Sequence, residues 1–151
     1  MIKIMFVCHG NICRSTMAEF VLKDMVKKQN IEDNFFINSS ATSRDAIGSD
    51  IHYGTKNILT QNNIPFTKRK AVQFTAKDYD IYDYIICMDT ENVKNTIKII
   101  GKDINNKISK LLDFTDDARD VKDPWYTNNF QETYNDVLNG CKGILDKIQL
   151  L

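Results

Sequence analysis

The fold is decided at the beginning of the chain, where an apolar run passes into a polar loop: Ile2-Lys3-Ile4-Met5-Phe6-Val7, then Cys8-His9-Gly10-Asn11-Ile12-Cys13-Arg14-Ser15. A continuous apolar run bounded by a glycine-containing loop is typical of a buried strand in a parallel sheet. Beyond the loop, apolar residues recur at helical spacing from Met17 to Val26, and Thr16 and Glu19 have the spacing of a capping box. The stretch therefore predicts a strand, a tight loop and a helix.

The same alternation continues along the chain. Apolar runs at 35–39, 84–88 and 107–112 predict further strands, and helical patterns predict helices at 50–62, 90–100 and 130–148. Asp89 and Asn129 stand where helix N-caps are expected. Strands that alternate with helices form right-handed βαβ crossovers. We therefore predict a single three-layer α/β/α domain, residues 1–151, with a four-stranded, mainly parallel sheet.

Length and charge narrow the possible functions. A chain of 151 residues with 42% hydrophobic residues has the size of one domain with one core. Its 20 basic and 20 acidic residues cancel, so no overall field attracts nucleic acid or an anionic membrane. The apolar start is too short for a signal sequence, and four cysteines without an export signal are typical of a reducing compartment. We expect a cytoplasmic monomer that binds neither nucleic acid nor membranes.

The loop after the first strand has the composition of a phosphate site. In parallel sheets ligands bind at the carboxyl ends of the strands, and a loop that leads into a helix N-terminus directs backbone N–H groups at a bound anion. Arg14 can clamp two oxygens of a phosphoryl group with its planar fork. The predicted phosphate-binding residues are His9, Gly10, Asn11, Ile12, Cys13, Arg14 and Ser15.

Cys8 stands at the end of the predicted strand, under the same positive field. That field favours the thiolate and makes Cys8 a candidate nucleophile. Ser15 can donate a hydrogen bond to the thiolate. Gly10 allows close approach of the backbone to the ligand or a positive φ, and the Asn11 side chain can brace the loop. These residues together predict transfer of a phosphoryl group to cysteine.

A phosphocysteine route also needs an acid for the leaving oxygen, and the loop contains no carboxyl group. Asp123 is the best candidate, because Pro124 favours an extended backbone there. Two aromatic residues, Trp125 and Tyr126, follow it and can flank a flat substrate. Asp123 would donate a proton in the first step and activate water in the second.

No pattern of metal ligands is present in the sequence. Its two histidines, His9 and His52, lie far apart and beside no cysteine pair of ligand spacing. We therefore expect no metal and no other cofactor. His52 stands near the start of a predicted helix, where a single histidine is typical of the surface, and it is assigned no role.

Four separated segments together resemble the low-molecular-weight protein tyrosine phosphatases. Besides residues 8–15, they are Ser39-Ser40-Ala41-Thr42-Ser43, Tyr82-Asp83-Tyr84-Ile85-Ile86-Cys87-Met88-Asp89 and Asp123-Pro124-Trp125-Tyr126. The resemblance spans nearly the whole chain and implies an enzyme that hydrolyses phosphotyrosine in proteins. It also implies the four-stranded parallel sheet and the cytoplasmic location.

The resemblance assigns roles to individual residues. Cys8 is implied as the nucleophile, Arg14 as the phosphate clamp and Asp123 as the general acid and then base. Three polar residues are implied as supports of the loop: Asn11, Ser15 and Ser39. Cys13 is implied as a redox partner that traps oxidised Cys8 as a reversible disulfide.

Several positions depart from the family pattern and bear on the substrate. The loop 44–48 lacks the aromatic residue that many members place there, so we expect Ile47 to form one wall of the substrate slot, opposite Trp125 and Tyr126. Ile12 is apolar, as in the phosphotyrosine enzymes, whereas arginine phosphatases of this fold tend to carry threonine there. Arg69 and the following lysine stand where many members have a histidine, which leaves the support of the loop at that point open.

Three other functions stay open at this stage. A thiol-dependent arsenate reductase on the same fold would need a close cysteine pair after the third strand, where Cys87 stands alone. A phosphoarginine phosphatase would use the same loop on a different phosphorylated side chain. A non-catalytic phosphate-binding module would bind the anion without turnover.

Overall fold

The computed structural model describes residues 1–148. Its strands are β1 (Ile2–Cys8), β2 (Phe35–Ala41), β3 (Tyr84–Cys87) and β4 (Ile108–Lys110). Its helices are α1 (Arg14–Lys28), α2 (Tyr53–Gln61), α3 (Ala76–Ile81), α4 (Thr90–Ile100), α5 (Pro124–Thr127) and α6 (Phe130–Ile148). The predicted domain extends to residue 151, and residues 149–151 lie outside the described residues.

The four strands form one parallel sheet in the order β2-β1-β3-β4. The prediction of a four-stranded parallel sheet is therefore confirmed. β1 lies inside the sheet, and the strand order reverses beside it, which is where open α/β sheets bind their ligands. The loop that follows Cys8 starts from this point.

The alternation of side chains along β1 builds two separate apolar layers. Ile4 and Phe6 are fully buried on the face covered by α1, α2 and α6. Met5 and Val7 point to the other face, where they pack with residues of α3 and α4. Because both faces of the sheet are covered, the strand is apolar throughout. The three-layer α/β/α arrangement agrees with the prediction.

The predicted capping box at the start of α1 is wrong. The helix begins at Arg14, and the Thr16 hydroxyl donates to the Cys13 carbonyl over 3.0 Å. Glu19 is buried and accepts a hydrogen bond from Ser39 instead of capping the helix. The beginning of the helix is determined by the preceding loop, which delivers the chain directly into its first turn.

The predicted start of the second helix is also wrong. Asp50 lies before the helix and accepts hydrogen bonds from the backbone N–H groups of Ile51 and Arg69 and from Lys56 Nζ. The Lys56 contact is the main reason that the pKa of Asp50 falls to about 2. Asp50 therefore organises the turn that leads into α2, and His52 caps the helix.

Two predicted N-caps are confirmed. Asp89 accepts a hydrogen bond from Asn92 N over 2.7 Å at the start of α4, and Asn129 Oδ1 accepts one from Glu132 N over 3.0 Å at the start of α6. The short helices α3 and α5 were not predicted, because neither is long enough to show a helical period.

Candidate active site

Cys8 ends β1 and is buried at the base of the loop that leads into α1. Asn11 donates its backbone N–H to Cys8 Sγ over 3.3 Å, and Ser15 Oγ lies 3.0 Å from the same sulfur. The N-terminus of α1 borders the loop and contributes its positive end. The Asn11 N–H and the end of the helix therefore direct positive potential at the sulfur.

Asn11 braces this loop from the inside. Its Nδ2 donates to Ser15 Oγ over 2.8 Å and to Ser39 Oγ over 2.9 Å. Because the Ser15 oxygen accepts from Asn11, its own proton is free to be donated to the Cys8 thiolate. The structure thus brings together the three residues predicted as loop supports, although one of them, Ser39, comes from β2.

Gly10 was expected to allow either close approach of the backbone to the ligand or a positive φ, and the positive φ lies at Asn11 instead. Asn11 has φ 58°, in the left-handed region, whereas Gly10 is outside that region. A Cβ added to Gly10 would meet Ile12 and Ala46 only at ordinary contact distances of 3.7 and 3.8 Å. Asparagine tolerates the left-handed conformation better than most residues, so the turn does not require glycine.

Arg14 is the most constrained charged residue of the site, with 2% of its side chain exposed. Its Nη1 donates to Asp89 Oδ2 over 2.7 Å and to the Val121 carbonyl over 2.9 Å, while Nη2 lies 3.4 Å from Asp123 Oδ2. Burial acts to lower the pKa of the guanidinium, but Cys8, Asp123 and Asp89 together raise it. Arg14 therefore stays charged in a fixed orientation.

Asp123 stands at the start of α5, on the opposite side of the cleft from the loop. Its Oδ1 accepts the backbone N–H of Trp125 over 3.0 Å, so the carboxyl group caps this short helix. Its Oδ2 is the atom next to Arg14. The side chain is 23% exposed, so the carboxyl group remains accessible from the cleft.

A cleft of about 240 Å³ opens between the loop after β1 and the start of α5. Trp125 and Tyr126 line it and are 61% and 84% exposed, so they are not core residues. The full lining consists of Cys8, His9, Gly10, Ile12, Cys13, Arg14, Asp45, Ala46, Asp123, Trp125 and Tyr126. The side chains of Asn11 and Ser15 are bonded behind the loop and are absent from this lining.

The expected wall at Ile47 is not found. Ile47 is 46% exposed and is not among the residues that line the cleft, whereas its neighbours Asp45 and Ala46 are. A turn from Arg44 to Ile47 changes the direction of the chain here. At the mouth of the cleft, His9 Nε2 lies 2.8 Å from Asp45 Oδ2, so this side carries a polar pair.

Arg69 supports the loop where many family members have a histidine, a point that the sequence left open. Its guanidinium donates to Asn11 Oδ1 over 2.7 Å and to Ser39 Oγ over 2.5 Å, and it pairs with buried Glu19. Glu19 also accepts from Lys23 Nζ over 2.6 Å. A buried ionic network therefore holds Asn11 from behind, and Asn11 in turn contacts Ser15 beside Cys8.

The other three cysteines lie in environments that raise the pKa of the thiol. Burial, followed by the charges of Cys8 and Asp123, raises the pKa of Cys13 to about 12, although Cys13 lines the cleft. Burial also raises the pKa of Cys87 to about 12 and that of Cys141 further. Cys87 and Cys141 are fully buried in the two apolar layers and do not reach the cleft.

Comparison with known proteins identifies the family. The family model described as "Low molecular weight phosphotyrosine protein phosphatase" matches residues 3–150. The chain belongs to the low-molecular-weight protein tyrosine phosphatase family. Among curated members, it is 42% identical over 149 residues to low molecular weight protein-tyrosine-phosphatase PtpA of Staphylococcus aureus, covering 98% of this chain and 94% of PtpA.

Two solved structures superpose closely on the chain. YfkJ from Bacillus subtilis is 39% identical, with a TM-score of 0.96 and coverage of 99% of this chain and 96% of YfkJ. SP-PTP, the low molecular weight protein tyrosine phosphatase from Streptococcus pyogenes, is 41% identical, with a TM-score of 0.88 and coverage of 99% and 97%. The fold and the enzyme class predicted by resemblance are thereby confirmed.

Residues 1–148 were searched for metal-binding groups and for membrane-spanning helices. Within this range, no group of three or more His, Cys, Asp or Glu side chains is arranged to hold a metal ion. Over the same residues, no helix combines the length and apolar character needed to cross a bilayer.

Sequence reasoning missed several residues that hold the site. Asp89 and the Val121 carbonyl orient Arg14, and Arg69 with Glu19 holds Asn11. Asp89 could have been found, because it lies two residues after the end of β3, at the carboxyl edge of the sheet. The backbone carbonyl and the distant Arg69 leave no local pattern in the sequence.

Proposed function

We propose that this phosphatase hydrolyses phosphotyrosine in proteins through a phosphocysteine intermediate on Cys8. The observation that carries the proposal is the meeting of Cys8, Arg14 and Asp123 in one cleft, with Arg14 Nη2 only 3.4 Å from Asp123 Oδ2. Nucleophile, phosphate clamp and acid are thus within reach of a single phosphoryl group.

In the first step, the Cys8 thiolate attacks phosphorus while the bond from phosphorus to the tyrosine oxygen breaks. Arg14 and the loop N–H groups stabilise the charge on the equatorial oxygens, because they are already oriented before the substrate arrives. Protonated Asp123 gives its proton to the leaving phenolate. The products of this step are tyrosine and a phosphorylated Cys8.

In the second step, Asp123 is a carboxylate and takes a proton from water as the water attacks phosphorus. The bond between sulfur and phosphorus then breaks. The departing Cys8 thiolate receives hydrogen bonds from Asn11 N and from the free proton of Ser15, which lowers the barrier to its release. Inorganic phosphate leaves, and the enzyme returns to its starting state.

The walls of the cleft support a flat aromatic substrate. Trp125 and Tyr126 present exposed rings on one side, and Ile12 presents an apolar side chain on the other. We propose protein-bound phosphotyrosine as the substrate and the cytoplasm as the place of action, where a reducing environment keeps Cys8 reduced. Burial of Cys87 and Cys141 raises the pKa of both thiols, which argues against a disulfide relay of the arsenate-reductase type.

Steady-state hydrolysis of an aryl phosphate at mildly acidic to neutral pH tests the proposal. We expect turnover by the wild type, none by Cys8→Ser, and a loss in kcat of roughly 10²–10⁴ in Asp123→Asn. Arg14→Lys keeps the charge but removes the planar fork, so it should be severely impaired as well. Binding of phosphate by the wild type without release of phenol would contradict the proposal.

Matched peptides that carry phosphotyrosine or phosphoarginine test the substrate class. We expect turnover of the phosphotyrosine peptide with a much higher kcat/KM. A preference for phosphoarginine would keep the mechanism and overturn the substrate. Reduction of arsenate with a thiol donor, in place of either hydrolysis, would overturn both.

A further inference from the structure

His52 lies between the two segments that carry the candidate catalytic groups. Its backbone N–H donates to the Ile12 carbonyl over 2.9 Å. Ile12 belongs to the loop of residues 8–15 between β1 and α1, which we call the phosphate loop. Its side-chain Nδ1 accepts the Gly54 N–H over 3.0 Å, and so caps α2. Because Nδ1 accepts a hydrogen bond, the neutral ring carries its proton on Nε2.

Three aromatic rings surround the imidazole of His52. Tyr53 stacks on it with ring centroids 4.4 Å apart, and Phe130 of α6 stacks at 5.2 Å with an interplanar angle of 14°. Trp125 meets it edge-on at 5.8 Å with an interplanar angle of 77°. A Cβ added to Gly54 would come within 2.4 Å of the Phe130 ring, so this glycine is what lets Phe130 approach.

Trp125 and Asp123 belong to the same short turn. The Asp123 carboxyl group accepts the Trp125 backbone N–H, so the carboxyl group is bonded to the backbone that carries the indole. Trp125 is 61% exposed, and within residues 1–148 the imidazole of His52 is the aromatic ring that it contacts. The position of Asp123 is thus linked to this contact as well as to its contact with Arg14 Nη2.

We propose that His52 is a positioning residue, which in its neutral form holds Trp125, and through it the Asp123 carboxyl group, in register with the phosphate loop. This inference rests on the proposed function, in which Asp123 is the acid and base. His52 joins the two sides of the cleft directly: its backbone binds one loop and its ring contacts the other.

Protonation of His52 disrupts this arrangement. An imidazolium has no free lone pair, so it cannot accept the Gly54 N–H, and it places a charge between aromatic rings. The titratable groups within two residues of His52 and of its contacts Ile12, Trp125 and Phe130 are Asp50, Tyr53, Cys13, Arg14, Asp123, Tyr126 and Glu132, and Lys56 follows one turn along α2. Burial lowers the pKa of His52, so the ring stays neutral to a lower pH than an ordinary histidine does.

The chain contains a single tryptophan, Trp125, so its fluorescence reports this contact directly. An adjacent imidazolium quenches indole emission. We expect the emission of the wild type to fall as the pH is lowered, with a midpoint below about 6.5, the ordinary pKa of histidine. His52→Phe should abolish the transition, and His9→Gln, which removes the other histidine, should retain it. Persistence of the transition in His52→Phe, or its absence in the wild type, would overturn the proposal.

Activity distinguishes positioning from stability. His52→Asn keeps a capping acceptor but removes the ring, whereas His52→Phe keeps a ring but removes the cap. Asp123 acts as an acid only up to release of the phenol, the part of the reaction that kcat/KM reports, and an acid matters more for a poor leaving group. We therefore expect His52→Asn to lower kcat/KM for phenyl phosphate about tenfold more than kcat/KM for p-nitrophenyl phosphate. Asp78→Ala removes a capping contact at α3, remote from the cleft, and should leave that ratio unchanged.

Equal losses for both substrates in His52→Asn would overturn the positioning role. If the wild type hydrolyses neither substrate, the proposed function fails. The fluorescence titration, which requires no turnover, would still decide whether His52 holds Trp125.

Discussion

Arg14 Nη1 donates to Asp89 Oδ2 over 2.7 Å, and this bond ties the start of α1 to the end of β3. Asp89 uses its other oxygen to cap α4, so one carboxylate serves two elements. We predict that Asp89→Asn lowers kcat/KM for aryl phosphates by about 10- to 100-fold, because a charge-assisted hydrogen bond contributes about 1.5–3 kcal/mol. Steady-state kinetics measure this loss.

Asp120→Asn is the matched control for Asp89. Asp120 is a nearby, more exposed carboxylate that accepts from Thr90 and Lys110 and does not touch Arg14. Its substitution should leave kcat/KM within about twofold, as expected for a surface pair. Equal losses in the two variants would show that the bond to Arg14 is unimportant.

Arg69→Met tests whether the buried network positions the loop. Removal of the guanidinium leaves Asn11 Oδ1 without this donor and Glu19 with one cation fewer. Asn11 Oδ1 still accepts from Val72 N, so the loss is that of hydrogen bonds from a charged donor. We expect a fall of about 1.5–3 kcal/mol in the free energy of unfolding. A fall in kcat should accompany it. Thermal unfolding and steady-state kinetics on the same preparation measure the two effects.

The double variant Arg69→Met/Glu19→Gln removes both charges together. In the single variant, buried Glu19 keeps its charge with Lys23 as the remaining cation. The double variant also removes that charge, so its unfolding free energy should be closer to that of the wild type than the unfolding free energy of the single variant is. Arg69→Lys, which retains the charge without the fork, should recover part of the stability but less of the kcat. A single variant as stable and active as the wild type would exclude the network from any role in the loop.

Cys13 gives a prediction about oxidation. After peroxide converts Cys8 to a sulfenic acid, attack by the Cys13 thiolate forms a disulfide and releases hydroxide. Burial raises the pKa of Cys13 to about 12, so little thiolate is present at neutral pH. The disulfide should therefore form faster as the pH rises. Mass mapping after peroxide treatment at several pH values measures its rate.

Recovery of activity tests whether that disulfide protects Cys8. After brief oxidation, the wild type should regain most of its activity with dithiothreitol, whereas Cys13→Ser should regain less. Cys141→Ser, which changes a buried cysteine of the core, is the control. Equal recovery in wild type and Cys13→Ser would contradict a protective role.

Gly143 gives a prediction about stability alone. A Cβ at this position of α6 would come within 2.1 Å of the Phe114 carbonyl oxygen, a backbone atom that cannot move aside easily. Gly143→Ala should therefore lower the free energy of unfolding by about 1–3 kcal/mol, although alanine favours helices. Lys142→Ala, an exposed substitution in the same helix, should have little effect. Denaturant unfolding that shows Gly143→Ala to be stabilised would refute the packing argument.

The sequence predicted those parts of the fold that depend on local periodicity. Apolar runs identified the four strands, and the helical stripe of α6 was correct from Phe130 to Ile148. The starts of α1 and α2 were misplaced because long-range contacts decide them. Asp50, for example, bonds the backbone of Arg69 rather than a helical turn. Such a contact joins distant positions and produces no periodic signal.

The site residues likewise fall into those that the sequence predicted and those that depend on long-range contacts. Cys8, Arg14 and Asp123 were predicted from the chemistry that each residue type supports, and the fold brings them to one cleft. Ile47 was misplaced, because the direction of a turn decides which neighbour faces the substrate. His52 was overlooked, since its contacts come from α5 and α6, far along the chain.

Detection of the phosphorylated cysteine tests the central claim most directly. Asp123→Asn is mixed with an aryl phosphate that has a good leaving group, so that the first step proceeds while hydrolysis of the intermediate is slow. Acid quench and peptide mapping by mass spectrometry then locate the phosphoryl group. We predict one phosphoryl group per chain, on Cys8, and none in Asp123→Asn that also carries Cys8→Ser. Release of the phenol with no phosphorylated residue, or with the phosphoryl group on another residue, would contradict the mechanism.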